Sequence, residues 1–229
     1  MQSHGLSVGQ PTSDFLGNLA EDDRTELYRL GKHREYRKGS AIFRVGDTCS
    51  HVYFLEAGRV KIFQPSSKGR EVILWFCLGG EIFGLAEAAR GGRRVVGATA
   101  CEDVVVLTVT DQQFKQFVLS RPSAALLSMQ VLASRLRGLS DVLVNFVSDE
   151  VDIRIAKLIL RLGARYGQRR GNIVHLDIPL THQEIADMVG TTRQTVTAVL
   201  SRLRKERVLS IDSHCIDVES EKELSELAQ

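Results

Sequence analysis

From Ala125 to Phe146, the apolar residues Ala125, Met129, Leu132, Leu136, Leu139, Leu143 and Phe146 recur at spacings of 4, 3, 4, 3, 4 and 3. That is the a/d seam of a three-heptad helix, about 33 Å long at roughly 1.5 Å per residue. A lone helix lying on a sheet of its own chain needs a broader apolar stripe. So narrow a seam predicts a helix partner, most simply a second copy, meeting along Met129, Leu132, Leu136, Leu139, Leu143 and Phe146. A helix packed only within its own chain is the competing reading. The rod also divides the chain, and the expected organisation is residues 1–122, then 123–148, then 149–229.

Ahead of the rod, residues 34–110 hold short β-rich runs separated by glycines. They are AIF (41–43), HVYFLEAG (51–58), RVKIF (59–63), EVILWFC (71–77) and ATACEDVVVLTV (98–109), with glycines at 39, 46, 58, 69, 79, 80 and 84. Runs of this length and turn spacing predict an antiparallel sandwich or jelly roll. A short amphipathic helix is expected before them, over Glu21–Gly31. Beyond the rod, the spacing predicts a helix over Asp152–Tyr166, a turn at 168–172, and a strand over Ile173–Ile178. A small hairpin is expected from LSI (209–211) and CIDV (215–218) about Asp212-Ser213-His214.

Between strand and hairpin stands THQEIADMVGTTRQTVTAVLSRLRKERVL (181–209). Thr181 with Glu184 three residues on is a capping box. Ile185, Met188 and Val189 give the first helix a buried face, Gly190 permits a sharp turn, and Thr191 or Thr192 caps a second helix. Val196, Val199, Leu200 and Leu203 form that helix's apolar stripe. Arg193, Gln194, Thr197, Ala198, Ser201 and Lys205 then fall on or beside the opposite face. Such a helix suits a DNA major groove. Arg193 is matched to guanine and Gln194 to adenine, each through two hydrogen bonds. Thr181, Gln183, Thr192, Thr195, Thr197 and Ser201 complete the expected contact set. Arg202, Arg204, Lys205 and Arg207 ease the approach to phosphates.

Charge agrees. Net charge is only +2, but Ile153–Ile211 holds eleven Lys/Arg against four Asp/Glu, and Asp212–Gln229 six acidic residues and one Lys. A basic segment followed by an acidic tail suggests a polyanion partner.

Taken together, the β-rich region, heptad helix and capped helix pair resemble the CRP/FNR family of bacterial transcription regulators, over roughly Glu21–Val218. KGSAIFRVGDTCSHVYFLEAGRVKIF (38–63) is similar to that family's β-roll signature. The resemblance implies an α+β chain: an N-terminal antiparallel β-roll like a cyclic-nucleotide-binding domain, a long dimerisation helix and a C-terminal winged helix-turn-helix domain. Double-stranded DNA, RNA polymerase and a second copy are the implied partners, and a cytoplasmic location is expected. The Gln168–Asn172 turn is the candidate polymerase contact, and Ser148–Arg154 the candidate hinge. The best-known members carry Glu and Arg where this chain has Gln194 and Ala198, so a different half-site is expected.

The resemblance also implies an effector pocket at Gly84, Leu85, Ala86, Arg93, Arg94, Val95, Arg135, Leu139 and Ser140. Its cAMP-binding members place Glu, Ser and Thr where this chain has Leu85, Val95 and Leu139. Each lost hydrogen bond disfavours that ligand by about 1–3 kcal/mol. The expectation is no certain cofactor and no cAMP, with a small anionic effector still compatible with the three arginines. A cAMP- or redox-responsive regulator of the same fold is the alternative.

Other classes fit poorly. The cysteines Cys49, Cys77, Cys101 and Cys215 form no CxxC pair, which suits a reducing compartment rather than a disulfide framework or zinc site. The six histidines are scattered, so a metal-dependent cupin-type enzyme lacks its ligand set, and no metal or catalytic residue is assigned. No apolar run reaches membrane-spanning length. The opening Met1-Gln-Ser-His-Gly lacks the pattern of a secretion leader.

Overall fold

A computed structural model of the chain describes residues 14–229. The expectation about a leader at Met1–Gly5 falls outside the described residues, as do the first thirteen residues of the expected domain 1–122. The described residues divide into two compact units, 14–139 and 140–229.

The first unit is a roll of eight strands: β1 (Lys32–Tyr36), β2 (Ala41–Phe43), β3 (His51–Ala57), β4 (Val60–Pro65), β5 (Glu71–Cys77), β6 (Ile82–Phe83), β7 (Gly97–Ala100) and β8 (Val104–Thr110). They form two antiparallel sheets, ordered β1-β8-β3-β6 and β2-β7-β4-β5. Helices α1 (Phe15–Asn18), α2 (Glu21–Leu30), α3 (Leu85–Arg90), α4 (Asp111–Ser120) and α5 (Pro122–Ser148) accompany them.

The continuous apolar runs in β3 and β8 follow from burial on both faces. Side chains alternate along a strand. Tyr53, Leu55, Val104 and Val106 enter a cluster with Ile42, Val60, Ile62, Cys77 and Ala98 from the other sheet. Val52, Phe54, Leu107 and Val109 enter a second cluster with Phe15, Leu27, Phe114 and Phe117 from the helices. Each large apolar side chain so buried contributes about 1.5–3 kcal/mol.

The α5 helix starts on a proline, whose missing N–H costs nothing in a first turn. Its early turns carry a face the heptad pattern does not show. Ala124, Leu127 and Val131 pack into the helix-side cluster, and Ser128, buried beside them, donates its hydroxyl to Ala124 O at 2.8 Å. The a/d positions lie on another face: Met129, Leu136 and Leu143 are each about two-thirds exposed in the single chain.

The second unit contains the end of α5, then α6 (Val151–Tyr166), β9 (Gly167–Arg170), β10 (Ile173–Leu176), α7 (His182–Val189), α8 (Arg193–Lys205), β11 (Leu209–Asp212), β12 (Cys215–Val218) and α9 (Glu221–Leu227). Its sheet is ordered β11-β12-β10-β9. Two expectations are corrected here. Residues 168–170 are strand paired to β10, so the turn reduces to Gly171-Asn172. The acidic tail is not only a tail: Ser220 caps α9, and Leu224 is fully buried.

One basic row on α6 grips the end of α5. Arg154 donates to Asp149 O at 2.8 Å and to Val189 O, the last turn of α7, at 3.1 Å. Lys157 pairs with the Asp149 carboxylate at 2.7 Å. Hydrogen bonds from Lys157, then Ser148, hold that carboxyl below its usual range. Phe146, expected in the dimer seam, spends one ring face inside the chain. Arg154 lies 4.9 Å above it, and its edge is close enough to Gly190 that a Cβ there would stand 2.4 Å from Cε1.

Candidate nucleic-acid interface

The α7–α8 pair is built as its sequence requires. Thr181 accepts from Glu184 N at 3.1 Å while the Glu184 carboxylate accepts from Thr181 N at 2.8 Å. Gly190 takes the left-handed conformation, φ 66° and ψ 46°, that ends α7 and turns the chain. Of the two candidate caps for α8, Thr192 is the one used, accepting from Thr195 N at 3.2 Å. Ile185, Ala186, Met188 and Val189 of α7 and Val196, Val199, Leu200 and Leu203 of α8 are all buried where the two helices pack.

That burial leaves one face of α8 to solvent. Arg193, Gln194, Thr197, Ala198 and Ser201 line a shallow open hollow of about 440 Å³. Arg193 and Gln194 are both exposed. The threonines are partly occupied: Thr192 and Thr195 hydroxyls pair at 2.9 Å, and Thr197 Oγ1 donates to Arg193 O at 2.9 Å. Gln183 donates to Asp187 at 2.8 Å. Thr181 Oγ1 also lies 3.0 Å from the Glu184 carboxylate. Arg202, one of the four cations expected to ease the approach to phosphates, pairs with Asp152 on α6 at 2.6 Å. Residue spacing gave no signal for that pair.

Sequence reasoning also missed His182. Its Nδ1 sits 2.8 Å from Thr197 Oγ1. Burial, then Arg193 and His214, hold its pKa below the usual histidine value. His214 lies at the tip of the β11–β12 hairpin, where Ser213 and His214 have positive φ. Leu180 N donates to His214 O at 2.8 Å, tying the tip to the segment before α7.

In the roll, the expected effector residues differ in burial and in partners. Arg94 is 3% exposed. It donates to Gly84 O at 2.8 Å, to His51 O at 2.5 Å and to the Glu87 carboxylate at 3.1 Å. Its guanidinium lies 4.3 Å from the Phe43 ring centroid. Gly84 permits this: a Cβ there would stand 3.0 Å from Arg94 Nη1. Leu85 is in the core, while Ala86, Arg93 and Val95 are exposed, Arg93 donating to Gly46 O at 2.9 Å. Arg135 pairs with buried Glu81 at 2.6 Å and lies 5.1 Å from the Trp75 ring. Leu139 and Ser140 stand on α5 where one unit gives way to the other. Among the described residues, no three His, Cys, Asp or Glu side chains cluster as a metal would need, and no helix is long and apolar enough to cross a membrane.

Comparison with known proteins agrees with this architecture. Residues 33–121 match the cyclic nucleotide-binding domain, and residues 153–227 match the Crp-like helix-turn-helix domain. The CRP-like cAMP-activated global transcriptional regulator of Mycobacterium tuberculosis is 29% identical over 187 residues, covering 78% of this chain and 84% of that protein. The global nitrogen regulator of Synechocystis is 29% identical over 193 residues, covering 83% and 86%. Among solved structures, a mutant of CooA from Carboxydothermus hydrogenoformans superposes with a TM-score of 0.80 at 22% identity, covering 93% of each chain. FixK2 from Bradyrhizobium japonicum gives 0.76 at 23% identity, covering 87% of this chain and 98% of that one. With both domains matched in this order on one chain, the protein belongs to the CRP/FNR family of transcription regulators and carries that family's DNA-binding helix-turn-helix.

Proposed function

We propose that this chain is a homodimeric regulator that reads a palindromic operator through Arg193 and Gln194 and is not controlled by cAMP. The observation that carries the reading is the solvent face of α8, where a guanidinium and an amide stand over the hollow with Thr197, Ala198 and Ser201. Arg193 pairs with guanine and Gln194 with adenine. Thr181, Gln183, Thr192, Thr195 and Ser201 position the domain on phosphates. Residues 1–122 serve as the sensor, 123–148 as the dimerisation helix and 149–229 as the DNA-binding domain. The exposed Met129, Leu132, Leu136 and Leu143 support pairing along α5. The Gln168–Asn172 segment is offered to RNA polymerase, and the protein works in the cytoplasm without catalysing a reaction.

Independence from cAMP is supported by the pair at Arg94. A cyclic nucleotide needs a cation for its phosphate. Here the Glu87 carboxylate already faces that cation, and Arg135 faces Glu81. Selecting operators from a random duplex pool, with and without cAMP, tests both parts. A palindrome enriched equally under both conditions is expected. Enrichment only with cAMP rejects the second part, and no enrichment rejects the first.

A further inference from the structure

The contact between His182 and α8 has a direction that the atoms themselves fix. Thr197 Oγ1 lies 2.9 Å from Arg193 O and 2.8 Å from His182 Nδ1. A hydroxyl has one hydrogen, and a carbonyl oxygen only accepts. The Thr197 hydrogen therefore goes to Arg193 O, and the imidazole donates through Nδ1–H. In the neutral ring Nε2 is then the acceptor. The relay Nδ1–H···Oγ1–H···O=C joins the first turn of α7 to the first turn of α8. It orients a hydroxyl that shares the hollow with Arg193, Gln194 and Ser201.

The relay is unchanged when the ring is charged, because the second proton enters at Nε2. The charged and titratable groups facing the ring from neighbouring elements are Arg193 on α8 and His214 at the hairpin tip, both unfavourable to an imidazolium. Together with burial, the largest cause, they hold its pKa below the usual value of about 6.5. A duplex changes the sign of that environment. The first helix of a helix-turn-helix crosses the sugar–phosphate backbone, and anions gather at helix N-termini.

We propose that His182 is a positioning residue for base readout, acting through Thr197, and that its Nε2 takes up a proton from solvent when an operator phosphate approaches α7. The proposal rests on α8 being the reading helix. The bound state then holds more protons than the free state between the two ring pKa values. Affinity rises as pH falls through that window, by at most about tenfold per pH unit for each subunit.

The test is the affinity of the full-length protein for its selected operator, by fluorescence anisotropy at constant salt from about pH 8 to about pH 6. The wild type is expected to tighten by about threefold to tenfold per subunit contact. His182→Gln, whose amide still donates to Thr197, loses that pH dependence, whereas His214→Gln keeps it. Thr197→Val keeps it too but discriminates less well against single-base operator variants. NMR titration of the His182 ring, free and bound, reads the same proton without a substitution, and a higher bound-state pKa is expected. Equal pH slopes in wild type and His182→Gln, loss of the slope in His214→Gln, or a ring that titrates alike in both states overturns the proposal. Operator binding that persists through such a result leaves the reading of α8 standing. A wild type that selects no operator at any pH removes the reading itself.

Discussion

Replacing Gly190 by alanine puts two separate costs on one position. The backbone there is left-handed, at φ 66° and ψ 46°, which costs a residue with a Cβ about 1–2 kcal/mol. The added Cβ would also lie 2.4 Å from Phe146 Cε1 and 2.6 Å from Cζ. No real contact is that short, so the ring must move. Its face is covered by Arg154, itself fixed to Asp149 O and Val189 O. Overpacking of this kind costs about 1–3 kcal/mol. The expected total is roughly 2–5 kcal/mol, or a fall of at least about 8 °C in the melting of a unit of this size. Helix circular dichroism in a urea titration measures it. Fluorescence of Trp75, the only tryptophan, reports the other unit and is expected to change little. A double-mutant cycle separates the two costs. In a Phe146→Ala background only the backbone strain remains, so Gly190→Ala should cost about 1–3 kcal/mol less there. Equal costs in the two backgrounds would refute the claim that Phe146 is seated on the turn.

Three further outcomes follow from named contacts. Arg94→Met should destabilise the roll by about 3–5 kcal/mol by leaving the Glu87 carboxylate buried without its cation, whereas Arg94→Met with Glu87→Leu should recover most of that in a chemical denaturation series. Gln194→Glu should move operator preference from adenine towards cytosine at one position of each half-site, by about 1–3 kcal/mol, read by repeating the operator selection. Thr181→Ala should cost about 1 kcal/mol through the lost capping box, seen as faster hydrogen exchange across α7.

Much of the architecture is legible in the order of residues because it depends on short periods. The heptads of α5, the strand runs of the roll, and the caps and glycine of α7–α8 each declare themselves within a few residues. What stays hidden is set by tertiary placement. Ala124, Leu127, Ser128 and Val131 have helical spacing, but the stronger a/d pattern overlaps them, and only the roll beneath shows them to be a buried face. The Glu87–Arg94 and Arg135–Glu81 pairs join residues 7 and 54 positions apart, with no local pattern to announce them. The Arg202–Asp152 pair joins residues fifty positions apart, again with no local pattern to announce it. His182 looks like an ordinary first-turn residue until α8 folds back and brings Thr197 to its ring.

Two copies of α8 are proposed to enter successive major grooves of one duplex. The most direct measurement is affinity as a function of half-site separation, using the selected half-site as an inverted pair moved one base pair at a time. One sharp optimum is expected with the half-site centres about one helical turn, roughly 34 Å, apart, and a loss of that optimum in Arg193→Ala. Affinity indifferent to separation, or equal for a single half-site and the inverted pair, would contradict it.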